Sequence, residues 1–164
     1  MSQTDDAPGS GPAPVALSDD ALVRFLADHQ FGALATNKSS GHPHLSTVVY
    51  AWDERERVAR ISTTEDRLKV RQLRKDPRSA LYVSSEDHWT FAVAEGTAEL
   101  SPVTTTPGDP TGQELLGMVP PLASDEERAA FLKQMVADRR LVIRLRVDRL
   151  YGTALDIPSD SSSG

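Results

Sequence analysis

The chain of 164 residues carries 18 lysines and arginines against 24 aspartates and glutamates, giving a formal net charge of −6, and this length predicts a single domain. The resulting pI near 5.2 argues against a dedicated nucleic-acid-binding protein, and no stretch approaches the ~20 apolar residues of a membrane span. Because there is no cysteine and no signal-peptide pattern, disulfides, iron–sulfur clusters and thiol catalysis are excluded, and a cytoplasmic location is expected.

The first part of the chain predicts a tail, one helix and two hairpins. Residues 1–17 are rich in Pro, Gly, Ser and Asp, and we expect them to form a disordered tail. Ser18 is the predicted N-cap of a helix that stops near His29. Short polar turns then connect three strands, which the apolar residues place at about 31–36, 44–52 and 58–63.

A cationic helix follows the third of these strands. Ser62 and Thr63 lie at the end of the strand, and the helix runs from about residue 67 until Asp76-Pro77 stops it. One side of the helical wheel collects four arginines, Arg67, Arg71, Arg74 and Arg78. Hydroxyls and backbone N–H groups that lead into a cationic helix N-terminus are typical of a phosphate site. A solvated basic face fits the same pattern, so the residues alone leave both interpretations open.

The second half of the chain predicts two more hairpin strands, a loop, a helix and a final strand. The strands are expected at 79–84 and 89–100, with Gly96 as a bulge or bend. A loop follows at 102–113, and residues 114–118 are expected to form one helical turn. Ser124 and Glu127 form a capping box that predicts the start of a longer helix. The last strand is expected at 141–150, with the sheet ending near 155 and a tail at 156–164.

The order of these elements predicts the class of fold. Six to eight strands joined mostly by short turns imply antiparallel pairing, and a small antiparallel sheet avoids free edges by closing into a barrel. We therefore expect a mainly β protein, a barrel with a few helices, in one domain from residue 18 to residue 155.

The sequence contains no complete set of residues for independent catalysis. His42 and His44 lack the further ligands that a metal site needs, and no dinucleotide-binding glycine motif, P-loop or Ser-nucleophile elbow is present. Arg139 and Arg140 follow the last helix, where they could clamp a carboxylate or phosphate or simply stabilise the helix end. A protein without its own acid, base or nucleophile is either not an enzyme or uses a cofactor for its chemistry.

Four segments resemble, in order, one family of cofactor-dependent enzymes. They are FGALATNKSSGHPHLSTVVYAWD, ISTTEDRLKVRQLRKDPRSALYV, VAEGTAELSPV and MVADRRLVIRLRVDRLYG. Together they resemble the flavin/deazaflavin oxidoreductases that share the pyridoxamine-phosphate-oxidase-like, FMN-binding split β-barrel, and in particular the actinobacterial branch that uses coenzyme F420. The resemblance covers roughly residues 20–155.

This resemblance implies a homodimer with cofactor sites between the subunits, and it implies which residues bind the cofactor. The phosphate-binding segment of the family corresponds to Ser62, Thr63, Arg67 and Lys69. The hairpin and strand that lie along the ring system correspond to Pro43, Ser46, Thr47, Val48 and Val49. Arg139 and Arg140 correspond to a segment contributed by the partner subunit. Gln72 stands where relatives often carry Asn, and its longer amide is expected to make the same contact.

The resemblance also implies a reaction, in which hydride passes from C5 of the reduced deazaflavin to a conjugated, hydrophobic acceptor. The acceptor's proton would come from water or from the hydroxyl of Ser46 or Thr47. Eleven of the 18 basic residues lie in segments 67–78 and 139–149. F420 carries a phosphodiester, a lactyl group and a polyglutamate tail, so this clustering favours F420 over FMN. The alternatives are an FMN-dependent oxidase or reductase, a non-catalytic F420-binding protein and a structural dimer without a ligand.

Overall fold

The computed structural model describes residues 11–155 as seven strands and four helices. The strands are β1 (Val15–Ala16), β2 (Phe31–Asn37), β3 (Pro43–Asp53), β4 (Val58–Thr64), β5 (Arg78–Ser84), β6 (Thr90–Leu100) and β7 (Arg140–Ala154). The helices are α1 (Asp19–Asp28), α2 (Leu68–Lys75), α3 (Pro110–Gly117) and α4 (Asp125–Ala137). The predicted tail at 156–164 and the first ten residues of the predicted N-terminal tail lie outside the described residues.

Six of the strands form a closed antiparallel barrel. Their order is β7-β4-β3-β2-β5-β6, and β6 pairs back to β7, while β1 is added beside β7. The predicted class of fold, a mainly β antiparallel barrel with a few helices, is confirmed. The expected irregularity at Gly96 is also present, because the register of β6 with β7 shifts between Glu95 and Gly96. A Cβ at Gly96 would lie 1.8 Å from the carbonyl oxygen of Arg146, so only glycine fits there.

The barrel interior is filled by aliphatic side chains from alternating strand positions. The core of fully buried residues includes Leu34, Ile61, Leu81, Leu141, Ile143 and Leu145. Helix α1 closes one end, where Leu26 is buried and its carbonyl oxygen accepts a 2.7 Å hydrogen bond from the Tyr50 hydroxyl. Burial raises the pKa of Tyr50, which keeps this donor protonated.

Three boundaries differ from the sequence-based expectation. The loop predicted at 102–113 is interrupted by α3, which begins with Asp109 as its N-cap and Pro110 at its first position, a start signal that the threonine- and proline-rich composition hid. The N-terminal tail becomes ordered before residue 18, since Val15–Ala16 pair with β7. Arg78 does not continue the arginine side of α2, because it begins β5 and pairs with Asp76.

Candidate functional site

Helix α2 presents an uncapped, cationic N-terminus to one side of the barrel. Val70 and Leu73 are buried and fix the helix against the core. Arg67 is the N-cap residue, its side chain makes no capping hydrogen bond, and no acidic residue lies in the first turn. The positive end of the helix dipole is therefore left without a compensating carboxylate on its own helix.

A cavity of about 400 Å³ opens beside this helix and has two unlike sides. Its polar side is formed by β3, β4, α2 and the start of β7, with Thr47, Ser62, Lys69 and Arg140 in the lining. Its apolar side comes from β3, α3 and α4 and the chain between the helices, and includes Val48, Val49, Leu115, Met118, Val119, Phe131 and Met135. A cavity with a cationic side and an apolar side can hold a flat conjugated molecule that carries an anionic group.

Lys69 is the half-buried cation of the polar side. Its Nζ donates a 3.4 Å hydrogen bond to the Ser46 hydroxyl, and it forms no ion pair with any carboxylate of residues 11–155. Burial lowers the pKa of Lys69, and the nearby Arg67 guanidinium lowers it further. A buried ammonium without a counter-ion is unfavourable, so this arrangement favours an anionic ligand that would compensate it.

Arg140 enters the same cavity from the first residue of β7. Its Nη1 donates a 3.1 Å hydrogen bond to the Ser62 hydroxyl. Its Nε is buried without a hydrogen-bond partner, and the nearest carboxylate oxygen, on Asp138, is 3.8 Å away. This orphaned N–H is a second observation that fits a group able to accept hydrogen bonds.

Arg139 is held away from this cavity. Its φ of 55° places the backbone in the left-handed region, its carbonyl oxygen accepts a hydrogen bond from the Glu65 N–H, and its guanidinium pairs with the Glu65 carboxylate. With Thr64 and Asp66 it lines a neighbouring cavity of about 580 Å³, which shares Arg140. Arg140 therefore lines both cavities, whereas Arg139 lines only the neighbouring one of the two.

A third opening, a groove of about 770 Å³, runs between α2 and the turn that joins β2 to β3. Its lining includes four cations, Lys38, Arg71, Arg74 and Lys75. None of the four pairs with a carboxylate of the described chain, whereas the one acid of the groove, Asp76, is occupied by Arg78. In contrast, Arg144 and Arg146 on β7 both pair with Glu99. Within residues 11–155, cations without a carboxylate partner are therefore concentrated along α2.

Six of the twelve predicted cofactor-binding residues line the 400 Å³ cavity: Thr47, Val48, Val49, Ser62, Lys69 and Arg140. The other six lie outside its lining. Ser46 contacts the cavity through its bond to Lys69, and Arg67 stands exposed at the N-cap of α2. Thr63 is buried, and Pro43 lies at the exposed start of β3. Arg139 lines the neighbouring pocket.

Gln72 makes structural contacts that the sequence did not indicate. Its side-chain oxygen accepts a 2.6 Å hydrogen bond from the Thr36 hydroxyl and lies 2.9 Å from Nδ1 of His44. An amide oxygen only accepts, so Nδ1 of His44 carries the proton. The oxygen of Gln72 is therefore engaged by β2 and β3 and joins α2 to that hairpin.

Sequence reasoning missed the apolar side of the cavity. No residue of α4 is fully buried, and Phe131 and Met135 line the cavity instead of packing into the core. The sequence features that could have indicated this wall are the Phe-Leu and Met-Val pairs of a helix that follows a Val-Pro-Pro segment. Nothing in that pattern distinguishes a cavity wall from a core-facing stripe.

Two negative results concern residues 11–155. No three His, Asp or Glu side chains of this range gather where they could hold a metal ion. None of the four helices is long and apolar enough to cross a bilayer.

The family model of pyridoxamine 5'-phosphate oxidase matches residues 18–154, and the chain belongs to this family. A conserved hypothetical protein from Mycobacterium tuberculosis is similar over 94% of this chain and 97% of its own, with 22% identity and a TM-score of 0.70. A protein described as an F420 reductase is 26% identical over 74% of this chain and 88% of its own, with a TM-score of 0.52. An FAD-binding protein from Mesorhizobium loti is 18% identical over 87% and 97%, with a TM-score of 0.62. Family and fold support an oxidoreductase that uses a flavin-type cofactor.

Proposed function

We propose that this protein is an oxidoreductase that uses coenzyme F420 to reduce a conjugated, hydrophobic acceptor. The observation that carries the proposal is the cavity between α2 and α3, in which Lys69 and Arg140 face an apolar wall. The similarity to an F420 reductase supports the same class of reaction.

The residues present fit such a cofactor. Among residues 11–155, Lys69 has no counter-ion and Arg140 Nε–H has no hydrogen-bond partner, so both favour an anionic, hydrogen-bond-accepting group beside Ser62. Arg67 and the uncapped start of α2 supply further positive potential for the same phosphate. The exposed face of β3, with Thr47 and Val49, offers a surface along which a planar ring system can lie.

The groove beside α2 favours F420 over FMN. A single phosphate needs only Arg67 and Lys69 at the start of α2 and Arg140 at the start of β7. The groove adds Lys38, Arg71, Arg74 and Lys75, which have no carboxylate partner among residues 11–155. A polyglutamate tail would provide that partner, because its carboxylates repeat along an extended chain as the four cations do along the groove.

When bound, the reduced deazaflavin supplies a hydride from C5 to the electrophilic carbon of the acceptor, which also takes up one proton, so that the coenzyme is oxidised by two electrons. The protein's part is to orient the two molecules and to exclude water with the apolar wall. Two hydroxyls are candidate proton donors: that of Thr47, which lines the cavity, and that of Ser46, which accepts a hydrogen bond from Lys69 that would stabilise charge developing on its oxygen.

An exposed apolar face supports a homodimer. Phe31 on β2, Leu45 and Val49 on β3, and Tyr82 on β5 are 43% to 64% exposed although they are large and hydrophobic. The strand register places Phe31 opposite Val49 and aligns β2 with both neighbours, so these side chains share the outer face of three adjacent strands. A second copy covering this face would bury it and would bring partner residues near the β3 side of the cavity.

The test is a fluorescence titration of purified protein with oxidised F420 and, separately, with FMN. We expect saturable binding of F420 and weaker binding of FMN. The double variant Arg71→Gln/Arg74→Gln should weaken F420 binding strongly and FMN binding little, since the groove matches only the tail. Tighter binding of FMN would instead make the protein an FMN-dependent enzyme of the same fold. Binding of neither cofactor would refute the proposed function.

A further inference from the structure

The Glu114 carboxylate on α3 pairs with two arginines, which lie on two strands of the barrel. Its Oε1 accepts a 2.6 Å hydrogen bond from Arg144 Nη2, and its Oε2 accepts from Arg144 Nε at 2.7 Å and from Arg60 Nε at 3.0 Å. The Glu114 side chain is only 16% exposed. Arg144 lies on β7 and Arg60 on β4, two strands paired at those residues. One carboxylate thus ties α3 to two neighbouring strands of the barrel. Glu114, Arg60 and Arg144 together are called the clamp.

The two arginines are fixed in turn by other acids. Arg60 Nη1 pairs with Asp53 at 3.1 Å, and Arg144 Nη1 pairs with Glu99 at 2.8 Å. A charge-assisted, bidentate contact between anchored groups defines both position and orientation more strictly than packing alone. The hydrogen bonds from Arg144, with that from Arg60 in support, outweigh the effect of burial and lower the pKa of Glu114, so the clamp is charged at neutral pH.

The clamp positions the apolar wall of the cavity, because residues of α3 form part of that wall. Leu115, next to Glu114, is buried and lines the cavity, as does Met118 one turn further on. Helix α4 packs mainly against α3 and less against β7; none of its residues is fully buried, and Leu132 lies against Gly112 of α3. Phe131 and Met135 therefore take their places in the wall mainly through α3.

Met118 at the end of α3 and Ala51 of β3 lie between two spaces. Both residues line the 400 Å³ cavity and a second cavity of about 490 Å³, which is lined on its other sides by Trp52, Arg60 and Glu114. An unbranched thioether side chain adapts its shape easily, so its position depends on the backbone that carries it. If α3 moved outward, the two cavities would join.

We propose that Glu114 is a positioning residue that holds α3 so that Met118 closes the acceptor side of the cavity and limits the size of the acceptor. This inference rests on the proposed function for the identity of the site. The hydrogen bonds of Glu114 on which it is based do not depend on which cofactor binds.

The experiment uses full-length protein in a Trp89→Phe background, so that Trp52 is the remaining tryptophan. Acrylamide quenching of Trp52 in the absence of cofactor reports whether α3 still covers the second cavity. In F420-loaded protein, kcat/KM is measured for a small acceptor, cyclohex-2-enone, and for a longer one, chalcone. The variant is Glu114→Gln, and the matched control is Glu99→Gln, which removes an acid paired to the same Arg144 without touching α3.

We expect Glu114→Gln to increase quenching of Trp52 and to raise the chalcone-to-cyclohexenone ratio of kcat/KM about tenfold, the scale of one lost pocket contact. The Kd for F420 should not change, and Glu99→Gln should behave as the parent. Met118→Ala, which removes the dividing side chain without disturbing the clamp, should raise the ratio in the same direction and decides the question if Glu114→Gln does not fold.

Three results would overturn the inference: unchanged quenching and ratio in Glu114→Gln, equal effects in Glu99→Gln, or an unchanged ratio in Met118→Ala. A loaded parent protein that reduces neither enone would overturn the assignment of this wall to the acceptor. If the parent binds no F420, the proposed function fails separately, and the quenching of Trp52 still shows whether Glu114 fixes α3.

Discussion

Replacing Lys69 by methionine separates a binding role for this cation from a structural one. The side chain keeps its length and apolar stem, and loses only the ammonium, which has no carboxylate partner among residues 11–155. A hydrogen bond from a charged donor contributes about 1.5–3 kcal/mol. If Lys69 binds the cofactor phosphate, the Kd for F420 should rise by about 10- to 100-fold, since ~1.4 kcal/mol corresponds to tenfold.

The Lys69→Met protein should bind F420 more weakly but should be at least as stable as the parent. Burial lowers the pKa of Lys69 below its usual value, so the folded protein disfavours the charged form at neutral pH. Removing that charge should leave Tm unchanged or raise it. In the parent, F420 affinity should fall as the pH rises through the lowered pKa of Lys69, because the ammonium is then lost.

The assay is the F420 titration, with thermal unfolding measured on the same preparations. Lys133→Met is the matched control, because Lys133 is an exposed lysine on α4 outside every cavity described above. We expect its Kd to match that of the parent. Equal Kd values for Lys69→Met and parent would refute the phosphate role, and a large drop in Tm would show that Lys69 stabilises the fold instead.

Three further predictions concern the fold and assembly. Although burial opposes it, hydrogen bonds from Thr105, Gly112 and neighbouring groups lower the pKa of Asp109 to about 2. Asp109→Asn should therefore cost about 1 kcal/mol in urea unfolding at pH 7, a difference that disappears as the pH falls from about 4 towards 2; a constant difference would contradict this. Gly96→Ala should prevent folding or lower Tm sharply because of the clash with β7, whereas Gly117→Ala, with open space around it, should be neutral or stabilising by up to about 1 kcal/mol. Leu45→Arg should convert a dimer to monomers in analytical ultracentrifugation, and Thr97→Lys, on an exposed position of β6, should not; a Leu45→Arg dimer would argue against the apolar face as the interface.

The closed barrel could be predicted because local signals agreed with one another. Alternating strands, short polar turns and the break at Gly96 all indicate antiparallel pairing, and the resemblance names the same fold. The caps at Ser18 and Ser124 were visible for the same reason, and both hydroxyls accept hydrogen bonds from their first turns. Helix α3 was missed because Asp109-Pro110 lies in a segment whose composition favours a loop.

The candidate site could be predicted only in part, because its two sides depend on different kinds of information. The cations of α2 stand out as a charge run, and Lys69 and Arg140 do share a cavity although they are 71 positions apart. The apolar wall depends on where α3 and α4 dock, which is set by Glu114 reaching across to β4 and β7. Such long-range contacts leave no periodic signal in the sequence.

The length and late position of β7 determine when the site can exist during synthesis of the chain. This strand pairs with β1, β4 and β6, so the barrel stays open on two edges until residues 140–154 have emerged from the ribosome. Arg140 is the first residue of the strand, and it reaches Ser62 only when the sheet closes. Until then the α2 cations and the edges of β4 and β6 are exposed together. The nascent chain is therefore most open to premature association just before its last strand is made, and loss of that strand would remove both barrel closure and the Arg140 contact in one step.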